Sequence, residues 1–154
     1  MIHIKKSPTA DTRTCDWSKV TKEELLNSSM SHKDDVTQGM RFFAGMIFDS
    51  AERHDHDKIS FDGLNGFHAD FITGFEQTTW WDNHRKVNRH HLLQDDGVPA
   101  DVNMIDMLDM IVDCVMAGMA RSGSVYPLEI SDKVLRDAFN NTVELLKSQV
   151  KVAE

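Results

Sequence analysis

Between Arg53 and Lys58 the chain reads Arg-His-Asp-His-Asp-Lys, bringing together two imidazoles, two carboxylates and an ammonium. The adjacent His54 and Asp55 offer one nitrogen and one oxygen donor, a pairing suited to borderline divalent metals such as Zn, Mn or Fe. His-Asp pairs are common on wet surfaces, so the doublet gains weight from two later stretches: His84-x5-His90-His91 and Asp106-x2-Asp109-x3-Asp113. Divalent ions in such a site lower the pKa of bound water and stabilise charge on phosphoryl oxygens. Lys58, three residues beyond Asp55, would hold an anionic group beside the metal, or else pair with Asp55 or Asp57.

These residues need elements to bring them together. At 100° per residue, Asp106, Asp109 and Asp113 fall within roughly 60° of one another on a helix. The opposite side carries Ile105, Leu108, Ile111, Val112, Val115 and Met119, and the flanks are Met110, Cys114 and Ala117. The acidic row is therefore narrow within an otherwise apolar rod. Buried carboxylates need a counter-charge, and few cationic residues lie nearby in sequence. A metal cluster is the expected partner; a thin solvated stripe is the plain alternative. His84, Asn88 and His91 share a face at i, i+4 and i+7. On a straight helix His84 and His91 stand about 10 Å apart, so they would serve different metals or flank a bend. His90 points away from His91 on such a helix, towards an outer role or a substrate phosphate.

Residues 1–19 lack a sustained period and read as an extended arm, with room for one short strand and with Trp17 as its anchor. Thr21 and Glu24 form a capping box that opens a short helix. Ser31 is positioned to cap the next, whose Val36, Met40, Phe43 and Ile47 give it a face to bury. Helices are expected from Phe61 to Phe75, from Trp80 to His91 and from Val102 to Ala120. Gln94 to Ala100 reads as a loop. Ser131 caps a last helix with Val134, Leu135, Ala138, Phe139, Val143 and Leu146 inward. The class is all-α, a single-domain bundle of about five or six helices over residues 20–154.

The 154 residues, 40% apolar and 27% charged, suit a globular domain. A net charge of −8 argues against a duplex nucleic-acid partner held by its phosphates. Two cysteines without a Cys-x-x-Cys, no secretory leader and no spanning apolar run suggest a cytoplasmic protein and no membrane partner. A homo-oligomer remains compatible.

The ordered set His32…Val36, Arg53-His54-Asp55-His56-Asp57-Lys58, His84-x3-Asn88-Arg89-His90-His91, Asp106-x2-Asp109-Met110-x2-Asp113 and Ile130-Ser131…Asn141-Thr142 resembles the HD superfamily. More closely it is similar to a small family of unassigned function found in phages and bacteria. In that family Ser stands in place of Asp57, Trp in place of Cys114, and usually Pro-Glu-His where this chain has Leu92. The resemblance implies an HD-like helical metallohydrolase that cleaves phosphoester bonds of a nucleotide-like substrate, in the host cytoplasm if phage-encoded. It implies His54, Asp55 and Asp113 as ligands of a core metal, and His84, His90 and His91 as ligands of a second. One or two divalent ions (Mn, Fe, Mg, Zn or Ni) are expected. Asp109 or Asp57 would act as general base and Lys58 would clamp phosphate. His32 precedes His54 by 22 residues, about 33 Å along an unbroken helix, and reaches the metal only if the chain turns back near Asp49-Ser50. Two rivals use the same residues differently: an HD-type di-iron oxygenase, and a phage-encoded inhibitor that binds a nucleotide or host protein without turnover.

Overall fold

A computed structural model describes residues 1–7, 9, 15–76, 79–93 and 97–153. Helices dominate: α1 (Lys22–Arg53), α2 (His56–Ile59), α3 (Phe61–Phe71), α4 (Trp80–Val87), α5 (Met104–Ser122) and α6 (Asp132–Gln149), with strands β1 (Ile2–Lys5) and β2 (Val150–Ala153). The expected all-α class is observed. No described helix is long and apolar enough to cross a membrane. The chain divides into two compact units, Met1–Gly45 with Glu144–Glu154, and Met46–Val143.

In the first unit β1 pairs in parallel with β2, Ile2 opposite Val150, so the start of the expected arm is tied into a sheet. Part of that arm, like Gln94–Asp96 of the expected loop, lies outside the described residues. Trp17 is not an anchor, being 69% exposed. The Thr21–Glu24 box forms as expected: the Glu24 carboxylate accepts from the Thr21 backbone N–H at 2.8 Å, and Thr21 Oγ1 accepts from the Glu24 N–H at 3.2 Å. The helix it opens then runs without interruption to Arg53, and Ser31 caps nothing. Polar residues do not break it because hydroxyls such as Ser29 and Thr37 donate back to the carbonyls of Leu25 and Lys33, and no proline intervenes. The face expected to bury is largely open: Val36, Met40 and Ile47 are exposed.

In the second unit α1 ends at Arg53, and Asp55 follows in the left-handed conformation (φ 52°) before the single turn of α2. Ser60 stops α2 and caps α3, accepting from the Gly63 N–H at 3.1 Å. Gly66 lets α3 approach α4 closely, since a Cβ there would stand 2.3 Å from Trp80 Cδ1. The expected helix through His91 stops at Val87, because Asn88 is extended (ψ 113°). Helix α5 opens with a capping box between Asn103 and Asp106 and ends on left-handed Gly123. Its start is pinned to α6, where Thr142 Oγ1 accepts from the Met104 N–H at 2.8 Å and Asn141 donates to the Val102 carbonyl at 2.9 Å.

The core of this unit is Leu92, Val102, Met107, Met110, Val134 and Ala138, with Cys114 packed on it. Helix α5 thus buries the flank of its acidic row and leaves Leu108, Ile111, Val112 and Met119, on the side opposite those acids, exposed. On α6 only Val134 and Ala138 of the expected inward set are buried, while Leu135, Phe139 and Val143 are exposed.

Candidate metal centre

The break after Val87 creates the site. With Asn88 extended and residues 89–90 in a turn, the chain folds back, and His91 Nε2 comes to 2.9 Å from His84 Nε2. A straight helix would have kept them far apart. His90 lies beside His91, ring centroids 4.3 Å apart, rather than pointing away from it. The left-handed turn at Asp55 aims its carboxylate at the same point: Oδ1 is 3.3 Å from His84 Nε2 and 3.6 Å from His90 Nε2.

Asp55, His84, His90 and His91 each offer one donor atom, all within 4.8 Å of one another. This is a donor set that can hold a metal ion. Ligands at 2.0–2.1 Å that subtend 90–109° at an ion stand about 2.8–3.4 Å apart, against 2.9, 3.3 and 3.6 Å for the separations just given. Asp55 Oδ1 and His90 Nε2 are buried and have no hydrogen-bond partner among the described residues. Such orphaned donors are costly in a protein interior unless something binds them, and a cation bound by this set would satisfy both.

The imidazoles are held in a ligating state. The His84 ring, sandwiched between Trp80 and Trp81 at centroid distances of 4.9 and 5.1 Å, is fully buried. Its Nδ1 faces Asp57 Oδ2 at 2.8 Å, which draws the proton to Nδ1 and leaves the Nε2 lone pair for the cluster. Burial, then His90 and His84, push the His91 pKa down to about 3. Burial, then His54, lower that of His90. Burial alone would raise the Asp55 carboxyl, but hydrogen bonding and charge from Lys58, together with the His54 and His84 imidazoles, hold it below the usual range. His90 and His91 are thus favoured as neutral imidazoles beside an ionised Asp55 carboxylate, the states metal ligation requires.

Asp57 and Asp109, expected as bases, have both oxygens engaged. Asp57 Oδ1 accepts from Asn88 Nδ2 at 2.9 Å while its Oδ2 orients His84. Burial opposes its ionisation, and the Asn88 and His84 hydrogen bonds outweigh that and keep its pKa low. Asp109 Oδ2 accepts from Ser50 at 2.8 Å and Oδ1 faces His54 Nδ1 at 2.8 Å. Lys58 takes its salt-bridge role: Nζ lies 2.6 Å from Asp55 Oδ2, over the Phe67 and Trp81 rings. His54 Nε2 is 3.6 Å from Asp55 Oδ2 and 3.7 Å from Asp113 Oδ1. The three residues of the expected core triad therefore meet at His54. Among the described residues, however, the compact donor groups place His54 with His90 and Asp109, and Asp113 belongs to neither. His32 is in neither group, and the turn near Asp49-Ser50 that was to bring it round is absent. It lines a cavity of the first unit with Val36, Met40 and Leu146.

Asp106 needs no metal. Arg89 forks onto it at 2.7 and 2.8 Å and also reaches Asp101 at 3.0 Å. Sequence distance concealed this counter-charge, which comes from 17 residues upstream. Asn88, nearly fully buried, ties the halves of the site together: it donates to Asp57, and its Oδ1 accepts from the Asp55 N–H at 3.1 Å. Its i, i+4 relation to His84 and its place in the His84-x3-Asn88 motif were the signals for it. Two cavities meet at His90. One of about 160 Å³ is bordered by Arg53, His54, Arg89 and Asp109, and one of about 170 Å³ by Trp81, Arg85, His91, Asp113 and Cys114. Comparison of the chain with protein-family models, curated proteins and solved structures finds no match, so the likeness to HD proteins rests on the ordered motifs.

Proposed function

We propose that the protein is a metal-dependent phosphoester hydrolase acting on a small, nucleotide-like phosphorylated substrate. The observation that carries this reading is the convergence of Asp55, His84, His90 and His91 between two cavities, with two buried donor atoms that have no hydrogen-bond partner among the described residues. A divalent ion bound there supplies a lowered water pKa and neutralises charge on phosphoryl oxygens. The chain's own residues do the rest. Asp57 and Asn88 keep the lone pair of His84 on the cluster, and Lys58 neutralises Asp55. The Lys58 ammonium has three N–H donors, which leaves capacity for a phosphate oxygen when Asp55 binds the ion. Arg53, bordering one cavity, supplies positive charge for an anionic substrate. His54, backed by Asp109 and Ser50, presents Nε2 between Asp55 and Asp113, where a second ion or a substrate oxygen fits the donor chemistry.

The test is elemental analysis of untagged protein, followed by hydrolysis of bis-p-nitrophenyl phosphate and nucleotides with Mn, Mg, Zn, Fe or Ni. The expected result is bound metal at one or two equivalents and metal-dependent turnover, with both lost in His84→Ala. Metal-replete protein that turns over no phosphoester would defeat the hydrolase reading. Iron with a charge-transfer absorption would transfer it to oxygen chemistry.

A further inference from the structure

The two cavities that meet at His90 differ in character. One, of about 170 Å³, is lined by His90 and His91 and walled by Trp81, Leu93, Met110 and Cys114, with Asp113 as the one carboxylate among its lining residues. The other, of about 160 Å³, is lined by His90 and His54 with Arg53 and His56, and Val87 is its one apolar residue. A phosphate held on a cation at His90 faces both, a placement that rests on the hydrolase reading above. We propose that the cavities are two arms of one substrate site, and that the substrate is a phosphodiester. One ester oxygen carries a flat ring and the other a sugar.

Each cavity has room for one ring, since an apolar cavity of about 150 Å³ admits benzene. Trp81, Leu93, Met110 and Cys114 offer a flat ring apolar and sulfur contacts, and the Asp113 carboxylate accepts an N–H from it, which suits a heterocycle. The opposite cavity offers both halves of a hydroxyl's hydrogen bonding. Arg53 engages its Nε with the Asp49 carbonyl at 3.1 Å, which leaves its terminal N–H groups as donors. His56 Nδ1 faces the Arg53 carbonyl at 2.9 Å, which leaves Nε2 as an acceptor. A sugar hydroxyl donates and accepts, so it satisfies both. A monoester has a single organic arm and would leave one cavity to water. Hydrolysis of the diester adds water to phosphorus and breaks one P–O ester bond. The water's proton passes to the leaving oxygen, giving an alcohol from one arm and a monoester on the other.

The experiment is calorimetric titration of the Mn-loaded full chain with two diesters, methyl phenyl phosphate and the phenyl ester of thymidine 5′-phosphate. The variants are Leu93→Trp and Val87→Trp. These residues line one cavity each and are 50% and 54% exposed, so a larger side chain there narrows the cavity without entering the core. Wild type binds the nucleoside ester about 10-fold or more tightly than the methyl ester. Val87→Trp removes that gain and leaves the methyl ester's affinity as it was. Leu93→Trp weakens both esters about 10-fold. Affinity for Mn is unchanged in both variants; where a tryptophan alters it, Leu93→Phe or Val87→Phe is read in its place. Equal affinity of wild type for the two esters, or a nucleoside ester that both variants bind as wild type does, overturns the proposal. Turnover of the p-nitrophenyl counterparts separates the arms from the hydrolase. The nucleoside diester is cleaved ahead of p-nitrophenyl phosphate, and a preference of about 10-fold for the monoester in kcat/KM overturns the two-armed site. Binding in the expected order with no cleavage of either compound supports the arms and defeats the hydrolase alone.

Discussion

Asp57→Asn separates an orienting carboxylate from a catalytic base. The wild-type carboxylate serves two groups at once, His84 Nδ1 at 2.8 Å and Asn88 Nδ2 at 2.9 Å. An amide retains one oxygen. If that oxygen stays with Asn88, the new NH₂ faces His84 Nδ1 and drives the imidazole proton to Nε2, removing the lone pair from the donor cluster. If it stays with His84, two NH₂ groups confront each other and Asn88 loosens its hold on the Asp55 turn. Either way His84 becomes a poorer ligand. Loss of such a carboxylate–imidazole contact weakens metal binding about 10- to 100-fold, or about 1.4–2.7 kcal/mol. Calorimetric titration of the metal-free protein with Zn or Mn measures this directly. The expected outcome is that shift in dissociation constant, with turnover largely recovered at saturating metal. A dissociation constant within twofold of wild type, with turnover abolished, would refute the orienting role and return Asp57 to the part of general base.

The metal-free protein should lose stability as the pH falls below about 6.5. His90 and His91 take up protons near that value when unfolded but are held lower in the folded state. The unfolded chain therefore binds more protons, and each histidine contributes a slope of up to about 1.4 kcal/mol per pH unit. For His91 the loss continues towards pH of about 3. Thermal midpoints at pH 7, 6 and 5 should decline for wild type and more shallowly for His91→Gln; parallel curves would contradict the assignment. Arg89→Lys removes the fork on the buried Asp106 and should cost about 2 kcal/mol in urea unfolding. An unchanged midpoint would show that the fork holds nothing. Gly66→Ala would set a Cβ 2.3 Å from Trp80, whose ring stacks on His84. It should destabilise by about 2 kcal/mol and weaken metal binding in the same calorimetric assay.

The chemical inventory could be read directly from the residues because ligand chemistry is a property of residue type. A His-Asp doublet, a later pair of histidines and a row of acids are donors wherever they fold. Local rules also carried several element boundaries: the Thr21–Glu24 box, Ser131 at the start of α6 and an α5 stretch apolar beside its acids. Periodicity failed where the answer lay between elements. Ser31 resembled a cap, yet α1 runs through it, with hydroxyls on either side, Ser29 and Thr37, bonding back to carbonyls of the preceding turn.

The amino-acid order by itself determined which donors exist and that helices carry most of them. Only the tertiary structure decided their grouping. The left-handed turn at Asp55 and the extended Asn88 each re-aim a side chain by a backbone rotation that no spacing rule encodes, and that is why His84 meets His91. Arg89, not a metal, answers Asp106, because a counter-charge is chosen by distance in space. Packing also chose which apolar side of α5 the core would cover, since two similar stripes on one rod are indistinguishable until a neighbouring helix covers one of them.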